Sequence, residues 1–411
     1  MHFRSRLRRL KLPTALVCTL LFVPALTHAQ KYVQTNLVTD LSTGATFTND
    51  TSLKNPWGLT RSASSPWWVS DNNAGLATVY DGTGAKHLTV VIPGPTGTTP
   101  CPVGGPVTPA CFVSAPTGMV FNGTSEFDVT PGKPAQFIFD TEDGTISAWA
   151  GGAMATLKVD NSAIPTAANG AVYKGLTIGD CNGTAYLYAT NFRAGRVEVY
   201  DTNFNLVHLS DHCEVVQDAR RHDDDSFDDD RIPKGFAPFN IQNIGNSLFV
   251  TYAKQNASKH DNVDGAGLGF VDVYNTSGEL LTRFDNGLWL NAPWGVVWAP
   301  RDFGEFSNDI LVGNFGSGQI AAYNGFTGKF IGLMEDQNGN VLSIDRLWAL
   351  TFGNSAIGCP STPPAGSGLP KCGGAGPYNS LFFTAGINDE ADGLFGTLTP
   401  ITTELVEGDE L

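Results

Sequence analysis

"NAPWGVVWAPRDFGEFSNDILVGNFGSGQIAAYN", residues 291–324, repeats the plan of an earlier stretch, "KNPWGLTRSASSPWWVSDNNAGLATVYD", residues 54–81. In both stretches an Asn lies just before or at a Pro-Trp-Gly triplet, and an apolar run follows. A polar gap, a second apolar run ending in Asn, a Gly and a third strand-like segment then come in the same order. Two such copies in one chain are a repeat signal, and a repeat constrains the architecture before any single motif does.

Four further copies share this plan, and they begin with "APTGMVF" at 115, "YKGLTIG" at 173, "APFNIQ" at 237 and "RLWALTFGN" at 346. The six starts lie roughly 55–60 residues apart, a spacing that suits a four-stranded blade with its loops. Runs such as "LFVTY" are continuously apolar, as expected for strands covered on both faces. The sequence therefore predicts an all-β, six-bladed β-propeller. A two-domain β-sandwich would not explain the shared triplets.

Ring closure is predicted from the segment "KYVQTNLVTDL", residues 31–41, which alternates like a strand but precedes the first triplet. We expect it to supply the outer strand of the last blade, because this removes an exposed sheet edge. The propeller then occupies residues 30–399, followed by a short acidic tail, 400–411. The predicted blade starts are Pro56, Pro116, Tyr173, Pro238, Pro293 and Trp348.

The first 29 residues combine a basic start, an apolar stretch from Leu12 to Leu26, and Thr27-His28-Ala29 before Gln30. This pattern predicts a secretory signal peptide cleaved after Ala29, and hence a secreted, extracellular or periplasmic protein with no membrane attachment after cleavage. The formal net charge of -15 argues against a nucleic-acid partner, since phosphates would be repelled. We expect a monomer whose partner is a small molecule or an extracellular protein or glycan.

Six cysteines remain after removal of the signal peptide, an even number that favours disulfides in an exported chain. Cys101–Cys111 and Cys359–Cys372 each bracket a loop rich in Pro and Gly, which leaves Cys181–Cys213 as the third pair. A metal cluster is the alternative, but the chain contains no Cys-x-x-Cys motif.

The segments "NPWGL…WWVSDNNAGLATVYDG", "APFNIQ…LFVTYAKQ…DGAGLGFVDVY" and "LFFTAGINDEADGLFG" resemble a family of uncharacterised secreted, mostly bacterial proteins expected to form six-bladed β-propellers. The resemblance covers nearly all of the chain after the signal peptide and implies no known activity. More distantly, the architecture resembles NHL-repeat and gluconolactonase-type propellers, some of which are metal-dependent lactonases. That resemblance is one of fold, and a fold does not imply a function.

Candidate site residues come from the polar ends of the second strands and the approaches to the first strands, which should meet at one mouth of the central channel. The predicted ligand-binding residues are Asn55, Asn72, Asn191, Asn240, Lys254, Asn291, Asn314 and Asn388. Amide and carboxylate oxygens suit Ca²⁺ or Mg²⁺, and the predicted metal ligands are Asp71, Asn191, Asn314 and Glu390. The structural alternative is that Asn and Asp stabilise turns in every blade.

Three functions follow from this arrangement. The first is a propeller that binds a small ligand, cation or partner at the channel mouth. The second is a metal-dependent hydrolase of lactones or esters, with Asp71 or Glu390 as candidate catalytic base. The third is a structural or adhesion module. Two other features favour surface roles: we expect the acidic run His222–Asp230 to be a hydrated loop, and His208 and His212 to be surface histidines rather than a zinc pair.

Overall fold

The computed structural model describes residues 31–216, 226–356 and 374–401. Within these ranges the secondary structure is β-strand apart from three short 3₁₀ turns, Asn72–Ala74, Ala167–Asn169 and Gly304–Phe306. Six blades of four antiparallel strands surround one axis, and a short parallel strand extends one of these sheets to five strands. The predicted six-bladed β-propeller is therefore confirmed. Each innermost strand contacts the innermost strands of both neighbouring blades, which closes the ring.

The strands are numbered in chain order. An N-terminal strand is followed by blade 1: β1 Lys31–Thr39, then β2 Pro56–Thr60, β3 Trp67–Asp71, β4 Leu76–Tyr80 and β5 Lys86–Val91. Blade 2, which carries a small extra hairpin (β7 and β8), contains β6 Pro116–Phe121, β7 Asp128–Thr130, β8 Lys133–Pro134, β9 Phe137–Thr141, β10 Thr145–Trp149 and β11 Thr156–Asp160. Blade 3 contains β12 Tyr173–Cys181, β13 Thr184–Asn191, β14 Arg196–Tyr200 and β15 Leu206–Val207.

Blade 4 contains β16 Phe236–Ile244, β17 Ser247–Lys254, β18 Gly269–Tyr274 and β19 Leu280–Arg283. Blade 5 contains β20 Pro293–Trp298, β21 Ile310–Asn314, β22 Ile320–Tyr323 and β23 Phe330–Leu333, and it is followed by the short strand β24 Glu335–Asp336. Blade 6 contains β25 Leu347–Phe352, β26 Leu381–Ala385 and β27 Leu394–Pro400. The first strand of every blade lies innermost, and each begins within two residues of its predicted start.

Ring closure follows the prediction. Strand β1 pairs antiparallel with β27, with Thr35 opposite Thr397, and forms the outer strand of blade 6. The free side of β1 pairs in parallel with β24 over two residues. The two ends of the propeller are thereby hydrogen-bonded into one sheet, and the outer edge of that sheet is partly covered.

The hydrophobic core is divided among the gaps between blades, because every sheet faces a neighbouring sheet. Separate apolar clusters fill five gaps, from blades 1 and 2 around to blades 5 and 6. The sixth cluster fills the gap between blades 6 and 1 and continues onto the central axis through Trp57, Trp294 and Trp348. The innermost backbones approach closely at Gly118, where an added Cβ would lie 2.7 Å from the Cα of Gly175.

Two of the three expected disulfides are present, Cys101–Cys111 and Cys181–Cys213. The third, Cys359–Cys372, lies outside the described residues, as do the signal segment and the end of the acidic tail. No helix in the described part of the chain is long and apolar enough to span a membrane.

Candidate functional site

The central channel is closed by a layer of side chains from one equivalent position in the six aligned blade repeats. In chain order these residues are Trp57, Thr117, Lys174, Phe239, Trp294 and Trp348. Trp57 stacks on Trp348 with ring centroids 3.5 Å apart, and Trp294 contacts both rings edge-on. Beneath this plug lies a cavity of only about 20 Å³, lined by Gly58, Gly118, Asn240 and Gly295, room for about one water. We call the region above this aromatic floor, bordered by Glu142, His260, Asp261 and Glu390, the bowl.

Lys174 is the charged member of this layer, and its side chain is only 2% exposed. Its ammonium group lies 4.9 Å from the ring centre of Trp57 and 5.7 Å from that of Phe192. It donates a hydrogen bond to Glu142, and a carboxylate oxygen of Asp261 lies 3.7 Å away. Since a buried ammonium needs a counter-ion, Glu142 is the nearest counter-ion of Lys174 within the aromatic plug.

A chain of polar side chains links three blades across the bowl. The Nδ2 of Asn55 donates to Glu390 Oε1 at 3.0 Å and lies 3.5 Å from Asn72 Oδ1. The Nδ2 of Asn72 donates to Glu142 Oε2 at 3.0 Å. Trp348 donates its indole N–H to Asn55 Oδ1 at 3.0 Å, which fixes the orientation of that amide. Two carboxylates, Glu142 and Glu390, therefore face the bowl from opposite ends of one fixed chain.

Burial raises the pKa of Glu390, and the negative charge of Glu142 raises it further. The hydrogen bond from Asn55 and the positive charges of Lys174 and Arg346 act in the opposite direction and do not compensate. The surroundings of Glu390 therefore disfavour its charged form, mainly because the carboxyl group is buried.

The rim of the bowl is crossed by the loop between β17 and β18, residues 255–268. His260 Nδ1 lies 2.7 Å from Asp261 Oδ1 and 3.9 Å from Glu142 Oε1. Asp264 binds Arg346 on the opposite side, and Arg346 also contacts Asp389 at 2.6 Å. Among the described residues, Glu142, His260 and Asp261 form the group of acidic and histidine side chains close enough to share a metal ion. The ammonium of Lys174 already contacts two of the three carboxyl and imidazole groups.

Asp71, a predicted metal ligand and catalytic candidate, does not share this environment. It is fully buried, and neither carboxylate oxygen has a hydrogen-bond partner. Thr78 and Lys86 on neighbouring strands favour its charged form only partly, so burial raises its pKa well above the ordinary value. Its other electrostatic neighbours are Asp50 and Tyr80, and Tyr80 contacts Phe395 of blade 6. Asp71 thus belongs to the gap between blades 6 and 1.

The remaining predicted residues mostly stabilise loops and blade contacts. Asn191 bonds Glu198 at 2.9 Å and the backbone N–H of Ala194 at 3.2 Å. Asn314 accepts the backbone N–H of Asn291, whose own side chain accepts that of Gly265. Asn240 donates a hydrogen bond to the Trp294 carbonyl below the plug. Asn388 donates to Asp392 on the exterior, and Lys254 is exposed at the end of β17.

Of the predicted site residues, the structure brings Asn55, Asn72 and Glu390 together.

The predicted site residues did not include Glu142, Lys174, His260 or Asp261. Lys174 had a detectable signal, because alignment of the six repeats places it at a position that is Trp or Phe in four blades. His260 and Asp261 lie in an insertion with no counterpart in the repeat, so no periodicity points to them.

The acidic run proves to be anchored where it is described. Phe227 packs between Tyr188 and Tyr274, and Asp229 pairs with Arg231 and Arg283 at 2.6 and 2.7 Å. Phe227 and Asp229 are thus buried, whereas Asp228 and Asp230 are exposed, as a hydrated loop requires. Residues 222–225 lie outside the described residues. His212 is exposed and contacts Asp211, which raises its pKa.

No family model matches the chain. The chain is 34% identical over 228 residues to uncharacterised protein R640 of Acanthamoeba polyphaga mimivirus, a match that covers 55% of this chain and 39% of that relative. It is 28% identical over 359 residues to uncharacterised protein R648 of the same virus, covering 85% and 76%. These relatives are viral, so membership of a secreted bacterial family stays a prediction.

Solved structures with a similar arrangement are propeller-type proteins. Streptogramin B lyase aligns with a TM-score of 0.46 at 13% identity, over 91% of this chain and 98% of that one. A gluconolactonase from Xanthomonas campestris aligns with a TM-score of 0.36 at 12% identity, over 91% and 98%. Similarity at this level concerns the course of the chain and leaves the activity of this protein open.

Proposed function

We propose that this protein binds a hard divalent cation, Ca²⁺ or Mg²⁺, in the bowl at the channel mouth, with Glu390 and Glu142 as its carboxylate ligands. The observation that carries the proposal is the hydrogen-bonded series Glu390–Asn55–Asn72–Glu142, which holds two partly buried carboxylates at the channel mouth. Hard cations prefer oxygen ligands, and Mg²⁺ in particular is commonly held by one or two carboxylates with water completing its coordination.

The charge of the bowl supports this choice. Glu142, Glu390 and Asp261 supply three carboxylates, and Lys174 supplies the ammonium that contacts Glu142 and Asp261. On the rim, Arg346 is shared between Asp264 and Asp389, so positive charge is in deficit there as well. A divalent cation would reduce this imbalance, whereas an anionic ligand would increase it.

In this proposal the carboxylates bind the ion, and the amides of Asn55 and Asn72 orient the carboxylates. Asn55 Oδ1 accepts the Trp348 N–H, so this amide directs its NH₂ group to Glu390 and cannot serve as an oxygen ligand in that orientation. Asn55 and Asn72 therefore position carboxylates, and the carboxylates are the ligands. Of the other predicted ligands, Asn191 bonds Glu198 and Asn314 bonds the Gln319 carbonyl, while Asp71 lies buried in the gap between blades 6 and 1.

The test is a thermal shift on chelator-treated protein. Addition of Ca²⁺ or Mg²⁺ should raise the melting temperature of the wild type, because the folded state assembles the two carboxylates and the unfolded state does not. Glu390→Gln should remove the shift, because it deletes one ligand charge and keeps the side-chain shape. Glu126→Gln makes the same change at an exposed position on blade 2 and should keep the full shift. Equal shifts in both variants would refute Glu390 as a ligand.

A second candidate function is hydrolysis of a lactone or ester, and the His260–Asp261 pair favours it. The imidazole is about one-third exposed at the rim, and its contact with Asp261 would orient it as a general base for water. A bound cation would supply polarisation of the carbonyl group. Turnover of a simple lactone that requires Ca²⁺ or Mg²⁺ and is lost in His260→Ala would support this function. Metal binding without turnover would leave the protein a binding propeller.

A further inference from the structure

The turn after β26 contains three successive residues in the left-handed region, Asn388, Asp389 and Glu390, with φ values of 56°, 60° and 67°. The backbone N–H of Glu390 donates to the Gly386 carbonyl at 2.8 Å, which closes one left-handed helical turn. In the described chain no other three consecutive residues have positive φ. Left-handed conformation is unfavourable for residues other than Gly, with Asn and Asp the most tolerant. Glu390 is therefore the most strained member.

The turn is tied down at both ends by charged groups. Arg346 binds Asp389 at 2.6 Å on one side. Lys54 binds Asp392 at 3.1 Å on the other side, and Asn388 also donates to Asp392 at 2.8 Å. Strain of this kind persists only where surrounding contacts impose it.

The geometry directs one side chain of the three into the bowl. Asn388 and Asp389 are exposed, whereas Glu390 is partly buried and accepts a hydrogen bond from Asn55. The backbone passes so close to Asn55 that a Cβ at Gly386 would lie 2.1 Å from Asn55 Oδ1. A glycine at position 390 would relieve the strain and keep this path, so the fold itself does not require a glutamate there.

We infer that this left-handed turn holds Glu390 at a cost in stability so that its carboxylate contacts the ligand of the bowl, with Arg346 as a positioning residue. The inference rests on the proposed function for the identity of that ligand. If the inference holds, replacement of Glu390 by glycine stabilises the fold, as expected for a residue kept for function. If the Asn55–Glu390 hydrogen bond served only the fold, the same replacement would lower stability.

The experiment compares Glu390→Gly with Lys259→Gly in the full chain, with and without Ca²⁺. Lys259 is an exposed charged residue with φ 57° in the rim loop, so its replacement measures the relief of left-handed strain by itself. Both variants should melt about 1–3 °C above the wild type without metal. Lys259→Gly should keep the Ca²⁺ shift and Glu390→Gly should lose it. Arg346→Gln should weaken apparent Ca²⁺ affinity about 3–10-fold, with partial recovery in Arg346→Lys.

The outcomes separate the two claims. A Glu390→Gly variant that melts below the wild type would overturn the inference, because Glu390 would then be structural. A stabilised Glu390→Gly that keeps the Ca²⁺ shift would also overturn it, because the carboxylate would not contact the ion. If Glu390→Gly is stabilised but the wild type shows no thermal shift with Ca²⁺ or Mg²⁺, the proposed cation is refuted. The strained turn would then hold Glu390 for a different ligand.

Discussion

Asp71 and Glu390 look alike in the sequence, since both lie where a second strand meets its turn, but the structure places them in different surroundings. Asp71 is the last residue of β3, and its side chain enters the sealed gap between blades 6 and 1 without a hydrogen-bond partner. Glu390 lies five residues beyond β26, in a turn that brings its carboxylate over the channel mouth. A residue within a strand faces a blade neighbour, whereas a residue in the following turn can reach the axis.

Removal of the buried ammonium group of Lys174 should have the largest effect on stability. Lys174→Met leaves Glu142 partly buried without its ammonium partner, and we expect a loss of about 3–5 kcal/mol in the free energy of unfolding, measured by urea denaturation. The double variant Lys174→Met, Glu142→Gln should recover much of this loss, because it removes the unpaired charge. If Lys174→Met were as stable as the wild type, the Lys174–Glu142 ion pair would contribute nothing to stability. The channel mouth would then resemble the gap around Asp71, where the carboxylate has no hydrogen-bond partner.

Deletion of the amide that links Trp348 to Glu390 should have the next largest effect. Asn55 has a φ of 45°, so Asn55→Gly removes the side chain without straining the backbone. We expect a loss of about 1–3 kcal/mol, because the buried Trp348 N–H loses its acceptor and Glu390 loses its donor. Both the loss for Asn55→Gly and the stability of the control variant Asn191→Gly are measured by urea denaturation. In Ca²⁺ titrations, Asn55→Gly should bind more weakly than the wild type, whereas Asn191→Gly should bind equally well. Equal Ca²⁺ affinities in the two variants would contradict a role for Asn55 in positioning Glu390 at the channel mouth.

A smaller gain in stability is expected from Asp71→Asn. Burial raises the pKa of Asp71 in the folded protein, so the folded state holds a proton that the unfolded state releases above about pH 4. Wild-type stability contributed by this group is thus present at low pH and falls as pH rises toward the folded-state pKa. The variant should exceed the wild type by on the order of 1 kcal/mol at pH 7 and match it near pH 4. A loss at pH 7 would show that the carboxylate is stabilised in the gap.

The repeat, the blade starts and the closing strand could be predicted because each rests on a periodic pattern. Pro56, Pro293 and the alternation of residues 31–41 recur or alternate, and packing between blades enforces them. The site could be predicted only in part. Side-chain direction at Asp71 depends on strand register, and the reach of His260 across the bowl depends on the path of an insertion. Neither is encoded in residue type or spacing.

The contrast between the two acids depends on whether the mouth binds a cation through Glu390. The most direct measurement uses Tb³⁺ as a Ca²⁺ analogue, with excitation through the tryptophans of the plug. Trp348 donates to Asn55, which in turn donates to Glu390, so a bound ion would lie near an indole ring. We predict saturable Tb³⁺ emission in the wild type and in Glu126→Gln, its displacement by Ca²⁺, and its loss in Glu390→Gln. Emission of equal intensity and affinity in Glu390→Gln, or no sensitised emission in the wild type, would contradict the cation site at the channel mouth.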